Sequence, residues 1–287
     1  MERTPQLRAM TAAEVERLVG WAGDEGCNPG LDDANTFYAT DPDGFMALEL
    51  DGALIGGGAI IRHDASFGFM GLFIVQPDYR GQGLGRRLWY ARRDQLAARL
   101  APGATIGLDG VETMCGFYAR GGFCEATRHV RFQLARPAPA TDPTFRPVPV
   151  GALPWQQLAE FDRTCFPSPR DAYLRAWIAQ PSSCSFAAIE DGTLCGYAVM
   201  RRCRVGWKIG PLFAEGRALA TRLFRRCWET AADTPIFLDV PEGNRQGLAL
   251  ADEFGMEAVF RCRRMYRGPF PDLRQERIFG ITTLELG

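Results

Sequence analysis

The chain has 287 residues, 46% hydrophobic and 23% charged, with a formal net charge of -1. That length suggests two ordinary domains, and the charge balance offers no positive field for nucleic acid or an anionic membrane. No apolar run nears the roughly 20 residues of a membrane span, and the opening Met1-Glu2-Arg3-Thr4-Pro5 lacks the apolar core of a signal peptide, so a cytoplasmic location is expected.

Nine cysteines lie scattered without CxxC spacing, and His63 and His129 are the only histidines. Neither a disulfide framework nor a metal site is expected from that pattern. In chain order the first half predicts a helix over Ala12–Ala22, a polar segment over Asp24–Asn35, and strands over Gly44–Leu50, Leu54–His63 and Phe67–Val75. A loop, a helix over Gly83–Leu100, a strand over Ala104–Leu108, a helix over Thr113–Arg120 and a strand over Glu125–Leu134 follow. Antiparallel strands giving way to a strand–loop–helix–strand unit make the fold class α+β.

Arg136-Pro-Ala-Pro-Ala-Thr-Asp-Pro143 reads as a linker, which divides the chain into 1–135, 136–143 and 144–287. The halves read as diverged copies. Asp51-Gly-Ala-Leu-Ile-Gly56 is echoed by Asp191-Gly-Thr-Leu-Cys-Gly196, each an Asp-Gly hairpin turn. Gly71-Leu-Phe73 is echoed by Gly210-Pro-Leu-Phe213, and Gly122 and Arg128 by Gly255 and Arg261.

The informative stretch is Ile74-Val-Gln-Pro-Asp-Tyr-Arg-Gly-Gln-Gly-Leu-Gly-Arg-Arg-Leu88. An apolar strand ends at a proline, and glycines at 81, 83 and 85 lead straight into an amphipathic helix. Leu84, Leu88 and Ala91 are expected on one face of that helix, and Arg86, Arg87, Arg92 and Arg93 elsewhere. Glycines admit a ligand to the backbone, and a helix N-terminus supplies unpaired N–H groups, which together suit a diphosphate. The spacing fits neither the dinucleotide fingerprint nor a P-loop.

Arg80-x-x-Gly83-x-Gly85 resembles the pyrophosphate loop R/Q-x-x-G-x-G/A of the GNAT superfamily of N-acetyltransferases. Val75-x-Pro77-x-Tyr79-Arg80 is similar to that family's lead-in, and Phe117-Tyr118-Ala-Arg-Gly-Gly-Phe123 to its Y-x-x-x-G-F signature. The resemblance implies a splayed, mostly antiparallel sheet flanked by helices, with acetyl-CoA wedged where two strands diverge and no metal. Carried onto this chain, it gives Phe73, Ile74 and Val75 to the pantetheine arm and thioester. It gives the amides around Arg80, Gly81, Gln82, Gly83, Leu84, Gly85 and Arg86 to the diphosphate. Tyr118 becomes the proton donor to the departing thiolate, with ring packing as the competing reading.

Many members of that family carry a general base on the fourth strand, and Gly71-Leu-Phe-Ile-Val75 has no acid. Asp109 and Glu112 are the nearest candidates by sequence. Asp109 equally reads as a turn cap between glycines, and water or an already neutral amine could replace a base. Asp24-Glu-Gly-Cys-Asn-Pro-Gly-Leu-Asp-Asp33 lies where the family's acceptor side is expected. Asp24, Glu25 and Asn28 there, with Glu112, are candidates for an amine acceptor, against the alternative of a solvated acidic loop. Asp24–Pro29 with Asp41-Pro-Asp-Gly44 also resembles a bacterial subgroup with two fused GNAT domains.

In the second half Gly210-Pro-Leu-Phe-Ala-Glu-Gly216 stands where the pyrophosphate loop is expected, and Ala251 where Tyr118 stands. Residues 144–287 therefore read as a degenerate GNAT-like domain. The expected activity is direct acetyl transfer from acetyl-CoA to a primary amine of a small molecule or peptide. A non-catalytic acyl-CoA sensor on the same fold is the alternative. No nucleic-acid or membrane partner is expected, and a homodimer is left open.

Overall fold

The computed structural model describes residues 5–135 and 142–287. Most of the expected linker, residues 136–141, lies outside the described residues.

The first half runs β1 (Gln6–Ala9), α1 (Ala12–Asp24), α2 (Asp33–Thr40), β2 (Phe45–Leu50), β3 (Ala53–Arg62), β4 (Phe67–Val75), α3 (Leu84–Arg99), β5 (Thr105–Val111), α4 (Cys115–Arg120) and β6 (Cys124–Leu134). The second half repeats that order from α1 onward. It runs α5 (Trp155–Arg163), α6 (Asp171–Ile178), β7 (Ser183–Glu190), β8 (Thr193–Arg202), β9 (Trp207–Ala214), α7 (Arg217–Ala231), β10 (Ile236–Pro241), α8 (Arg245–Glu253) and β11 (Glu257–Arg267). A short β12 (Ile278–Gly280) then leads into a C-terminal tail.

Local signals account for these elements. Thr11 and Glu14 form a reciprocal capping box that starts α1, whose Val15, Leu18, Val19 and Ala22 are buried at helical spacing. The turns at Asp51-Gly52 and Asp191-Gly192 take left-handed conformations at both central residues, the geometry that suits a two-residue hairpin. The expected strand at Phe67–Val75 has those bounds, and the neighbouring elements differ by a few residues at their ends. An unexpected helix, α2, begins at the end of the polar segment and runs beyond it, where Phe37 is fully buried and stacks on Trp177 of α6.

All the strands form one mixed, mostly antiparallel sheet, ordered β1-β2-β3-β4-β5-β11-β6-β10-β9-β8-β7, with β12 added on β9. The two halves exchange their last strands. β11 inserts between β5 and β6, so that Cys262 faces Val111 on one side and His129 on the other, and β6 pairs with β10. Hydrophobic alternation predicts a strand but not its partner, which is why the exchange could not be read from the sequence.

Three buried arginine–aspartate pairs span the halves: Arg201 with Asp33 at 2.8 Å, Arg131 with Asp239 at 2.7 Å and Arg264 with Asp109 at 2.7 Å. Desolvation opposes such pairs as stabilisers, yet loss of one partner strands a buried charge. They therefore fix how the halves fit together.

Candidate active site

Among the described residues only β4–β5 and β9–β10 pair in parallel, one pair in each half. β4 pairs with β5 from Phe67↔Thr105 to Met70↔Leu108 and then parts from it. On its other side β4 slips register against β3 between Gly57/Ile74 and Ala59/Gly71. Leu72 lies inside that irregularity at φ 50°, a left-handed conformation unusual for leucine. The bulge re-aims residues 71–75 and leaves one backbone edge of β4 facing a cleft.

That cleft is a cavity of about 690 Å³, in the size range of small-molecule sites. Of the expected cofactor residues, Phe73, Ile74, Val75, Arg80, Gly81, Gly83, Gly85 and Arg86 line it, while Gln82 and Leu84 do not. Gly83 caps α3 at φ 78°, preceded by Gly81 at φ 74°, and a β-carbon on either would meet open space. The loop is thus held open by backbone conformation, with the unpaired N–H groups of the first turn of α3 at its rim. Arg80 donates from Nε to the Val75 carbonyl at 2.7 Å, so that carbonyl is already engaged.

Tyr118 lines the same cavity, its ring packed tilted against Trp89 and edge-on to Phe117. Its hydroxyl has no hydrogen-bond partner among the described residues. Burial pushes the phenol up to about 12, opposed by the nearby Arg92 charge. It is therefore protonated throughout the neutral range and available as a donor.

Arg92 departs from expectation. It is buried with Leu88, Trp89 and Leu96 instead of lying outside the packed face, and it lines the cavity. Its Nη2 donates to the carbonyls of Ala59 and Gly71 at 2.5 and 2.6 Å, and burial lowers its pKa to about 9. The spacing 88–92–96 was the available signal, masked by the arginine's usual place at a surface. Gly58 makes room for the guanidinium, since a β-carbon there would overlap it.

The expected acids fare differently. Asp109 lines the cavity, but Arg264 takes both of its oxygens at 2.8 and 2.7 Å, and His129 Nδ1 lies 3.2 Å from Oδ1. Burial works against its ionisation, yet Arg264 and His129 outweigh that and hold the carboxyl well below the usual range. A carboxylate so stabilised is a poor proton acceptor. Glu112 pairs with Arg128 and Arg263 at 3.1 and 3.3 Å and does not line the cavity.

The acidic loop is turned toward the second half. Asp24 meets Arg204 at 2.9 Å, and Asn28 exchanges two hydrogen bonds with the Val205 backbone at 2.9 Å. Neither lines the cavity, because the β8–β9 hairpin supplies partners that the sequence did not reveal. Glu25 does line it, at 2.5 Å from Arg80.

Asp109, His129 and Cys262 bring three ligand-type atoms within 4.8 Å of one another. Arg264 already occupies both oxygens of Asp109, and its guanidinium would repel a cation there. Burial, with Asp109 and Asp239, pushes the Cys262 thiol well up, so the thiolate a metal needs is disfavoured.

The second half closes the corresponding cleft with its own chain. β9 and β10 pair only over Trp207–Ile209 and Ile236–Leu238. Beyond that point β12 pairs with β9, the Ile281 amide donates to the Asp239 carbonyl at 3.0 Å, and Trp177 Nε1 donates to the Gly210 carbonyl at 2.8 Å. At the start of α7 stands Glu215, paired with Arg277 at 2.7 Å, where a diphosphate would meet negative charge.

From there the tail crosses to the first half. Leu284 and Glu285 line the open cavity, joined by Phe260 and Cys262 of β11 and Arg131 of β6. His63 Nε2 donates to the Leu286 carbonyl at 2.8 Å. None of these cavity residues was singled out from sequence, since each reaches the site through strand exchange or the tail.

A splayed strand pair with a glycine loop at a helix N-terminus defines an acyltransferase fold, and comparison with known proteins agrees. Residues 11–123 match the model of the acetyltransferase (GNAT) family, and residues 158–280 that of an acetyltransferase (GNAT) domain. The chain belongs to the GNAT superfamily, with two domains in tandem, and is an acyltransferase. It is 27% identical over 274 residues to the holothin acyltransferase of Pseudoalteromonas sp. (strain SANK 73390), covering 93% of this chain and 89% of that one. Its fold is similar to that of a putative acetyltransferase from Pyrococcus horikoshii, with a TM-score of 0.84 at 22% identity over 99% of this chain and 96% of that one. A tandem GNAT protein from the clavulanic acid biosynthesis pathway shares the fold at a TM-score of 0.65 and 16% identity, over 94% of this chain and 100% of that one. No helix among the described residues is long and apolar enough to cross a membrane.

Proposed function

We propose that the protein transfers an acetyl group from acetyl-CoA directly to a primary amine, at a single site in the first half. The observation that carries this reading is the open β4–β5 cleft, lined both by the Gly81–Gly83 loop and by Tyr118. Acetyl-CoA supplies the activated thioester. The free backbone edge of β4 around Phe73 and Ile74 aligns the arm that carries it and offers an N–H to the thioester carbonyl, an oxyanion-type contact. The amides at the start of α3, with Arg80 and Arg86, hold the diphosphate. Tyr118 donates a hydrogen bond to the sulfur as it leaves.

The cavity is lined mainly by apolar side chains, among them Met70, Leu108, Val111, Met114 and Phe260. Such a wall favours a compact, largely apolar amine over a polycationic one. The test is release of free thiol from acetyl-CoA over a panel of aliphatic and aromatic amines. Turnover with any of them, accompanied by an N-acetyl product, supports the reading. Tight acetyl-CoA binding without turnover across the panel would overturn acetyl transfer to amines of these classes.

A further inference from the structure

The fourth strand carries no acid, and Asp109 is held by Arg264, so the first half lacks a free carboxylate of its own beside the bond to be made. Three acids line the cavity: Glu25, Asp109 and Glu285. Glu25 is paired with Arg80 and Asp109 with Arg264, whereas no described cation lies within ion-pairing distance of Glu285. The Thr283 hydroxyl donates to Glu285 Oε2, which fixes the carboxylate by one oxygen. Oε1 accepts no hydrogen bond from any described residue.

The backbone around Glu285 is equally well fixed. Its carbonyl lies against the α-carbon of Gly71, where β4 leaves β5, and a β-carbon at 71 would overlap it. His63 holds the following residue from the other side of the tail. Glu285 is only 7% exposed and lines the cavity, so little of it meets bulk water.

We infer that Glu285, delivered by the second half's C-terminal tail, is the carboxylate that receives the acceptor amine and takes its proton. This rests on the transferase reading above. The amine nitrogen bonds to the acyl carbon as the C–S bond breaks, and the nitrogen's proton passes to Glu285 Oε1. The sulfur leaves as a thiolate hydrogen-bonded to Tyr118 and takes a proton from it or from solvent. Placement of the base on the tail also gives the second half its role: its plugged cleft anchors β12, which sets where Glu285 lies.

Groups on every neighbouring element bear on that carboxylate: Arg131 of β6, Arg201 of β8, Lys208 of β9, Cys27 and Cys203 of the flanking connections, and Tyr173 of α6. None of them blocks Oε1 by a direct ion pair.

The experiment compares wild type, Glu285→Gln and Glu285→Ala in the full chain, with an aromatic amine that stays neutral across the pH range. Glu285→Gln should keep acetyl-CoA affinity within about threefold and lose roughly 10²–10⁴-fold in kcat/KM, the range for a positioned base. The acidic limb of the wild-type pH profile should vanish with it. Formate should restore part of the activity to Glu285→Ala by supplying a small carboxylate in the vacated space, a recovery that a merely structural residue would not show. A Gln variant with wild-type kcat/KM, or one that retains the acidic limb, would overturn the assignment while the transferase reading stands. An Ala variant that binds acetyl-CoA normally and ignores formate would also count against it. Absence of turnover in the wild type would bring down the transferase reading and this proposal with it.

Discussion

The carbonyl oxygen of Glu285 rests against the α-carbon of Gly71, at the point where the first half's parallel strand pair opens. The glycine is there for space: an added methyl would overlap the tail's backbone, which has no side-chain freedom with which to yield. Gly71→Ala should therefore lower stability by about 1–3 kcal/mol and displace the tail. The check is a thermal melt together with acyl-transfer kinetics. Normal stability and normal kcat/KM would show that the tail does not need this contact.

The tail's other clamp is sensitive to pH. His63 Nε2 donates to the Leu286 carbonyl, while Nδ1 is buried with no hydrogen-bond partner, so a second proton would have no acceptor. Burial pushes this histidine down to about 4 from an ordinary 6.5, despite the Leu286 bond. Because the unfolded chain binds the proton first, this contribution is complete above about pH 6.5 and is lost progressively as pH falls toward 4. The full effect is at most about 3 kcal/mol. Denaturant melts at pH 7 and pH 4.5 should show a smaller stability difference in His63→Phe than in the wild type. An unchanged difference would mean that other groups carry the acid sensitivity.

Much of this was legible in the sequence, and the omissions have a common cause. The loop from Arg80 to Arg86, the strand before it and the Tyr118 helix are local features, each announced by glycine, proline or helical spacing. The helix α2 was hidden because its buried face rests on α6, so its own residues carry little amphipathic signal of their own. Arg92 was masked by the usual surface place of an arginine, and Arg131, Cys262 and Glu285 were invisible for a stronger reason. Each reaches the cavity through a strand exchange or a tail crossing that pairs residues far apart in the chain. Asp109 shows the converse case: a carboxylate at the expected place in the sequence is paired with Arg264, which lies 155 residues away.

Asp109 should accordingly behave as a structural residue. Asp109→Asn leaves Arg264 buried with a neutral partner, and removal of one member of such a pair typically costs about 3–5 kcal/mol. The variant should unfold at lower denaturant concentration. If its stability is unchanged and turnover alone collapses, Asp109 is the base after all and Glu285 is not.

The halves should also differ in what they bind. Titration calorimetry with acetyl-CoA is expected to give one site per chain, because β12 and the tail occupy the second cleft and Glu215 stands at the start of α7. Gly83→Asp should abolish that binding while the protein still melts cooperatively. Gly83 needs a left-handed conformation, and its α-carbon faces the loop's open space. An aspartate would strain the backbone and set a carboxylate where a diphosphate belongs. A stoichiometry near two would overturn the one-site reading.

Tyr118 separates chemistry from binding. Tyr118→Phe removes a single oxygen and keeps the ring, which packs edge-on and tilted among Trp89 and Phe117. Stability and acetyl-CoA affinity should therefore change little. With its pKa raised to about 12, the phenol is a weaker acid than a free thiol, so its contribution is a hydrogen bond to the departing sulfur more than a completed proton transfer. Loss of one such donor costs roughly 10²–10³-fold in kcat. The loss should fall on kcat and kcat/KM alike, because the bond is made only as charge develops on sulfur. It should also shrink with a thioester whose thiol is more acidic, since that leaving group needs less help. An equal rate loss for good and poor leaving groups would mean that the hydroxyl orients the substrate instead, and a Phe variant at wild-type rate would remove Tyr118 from the mechanism.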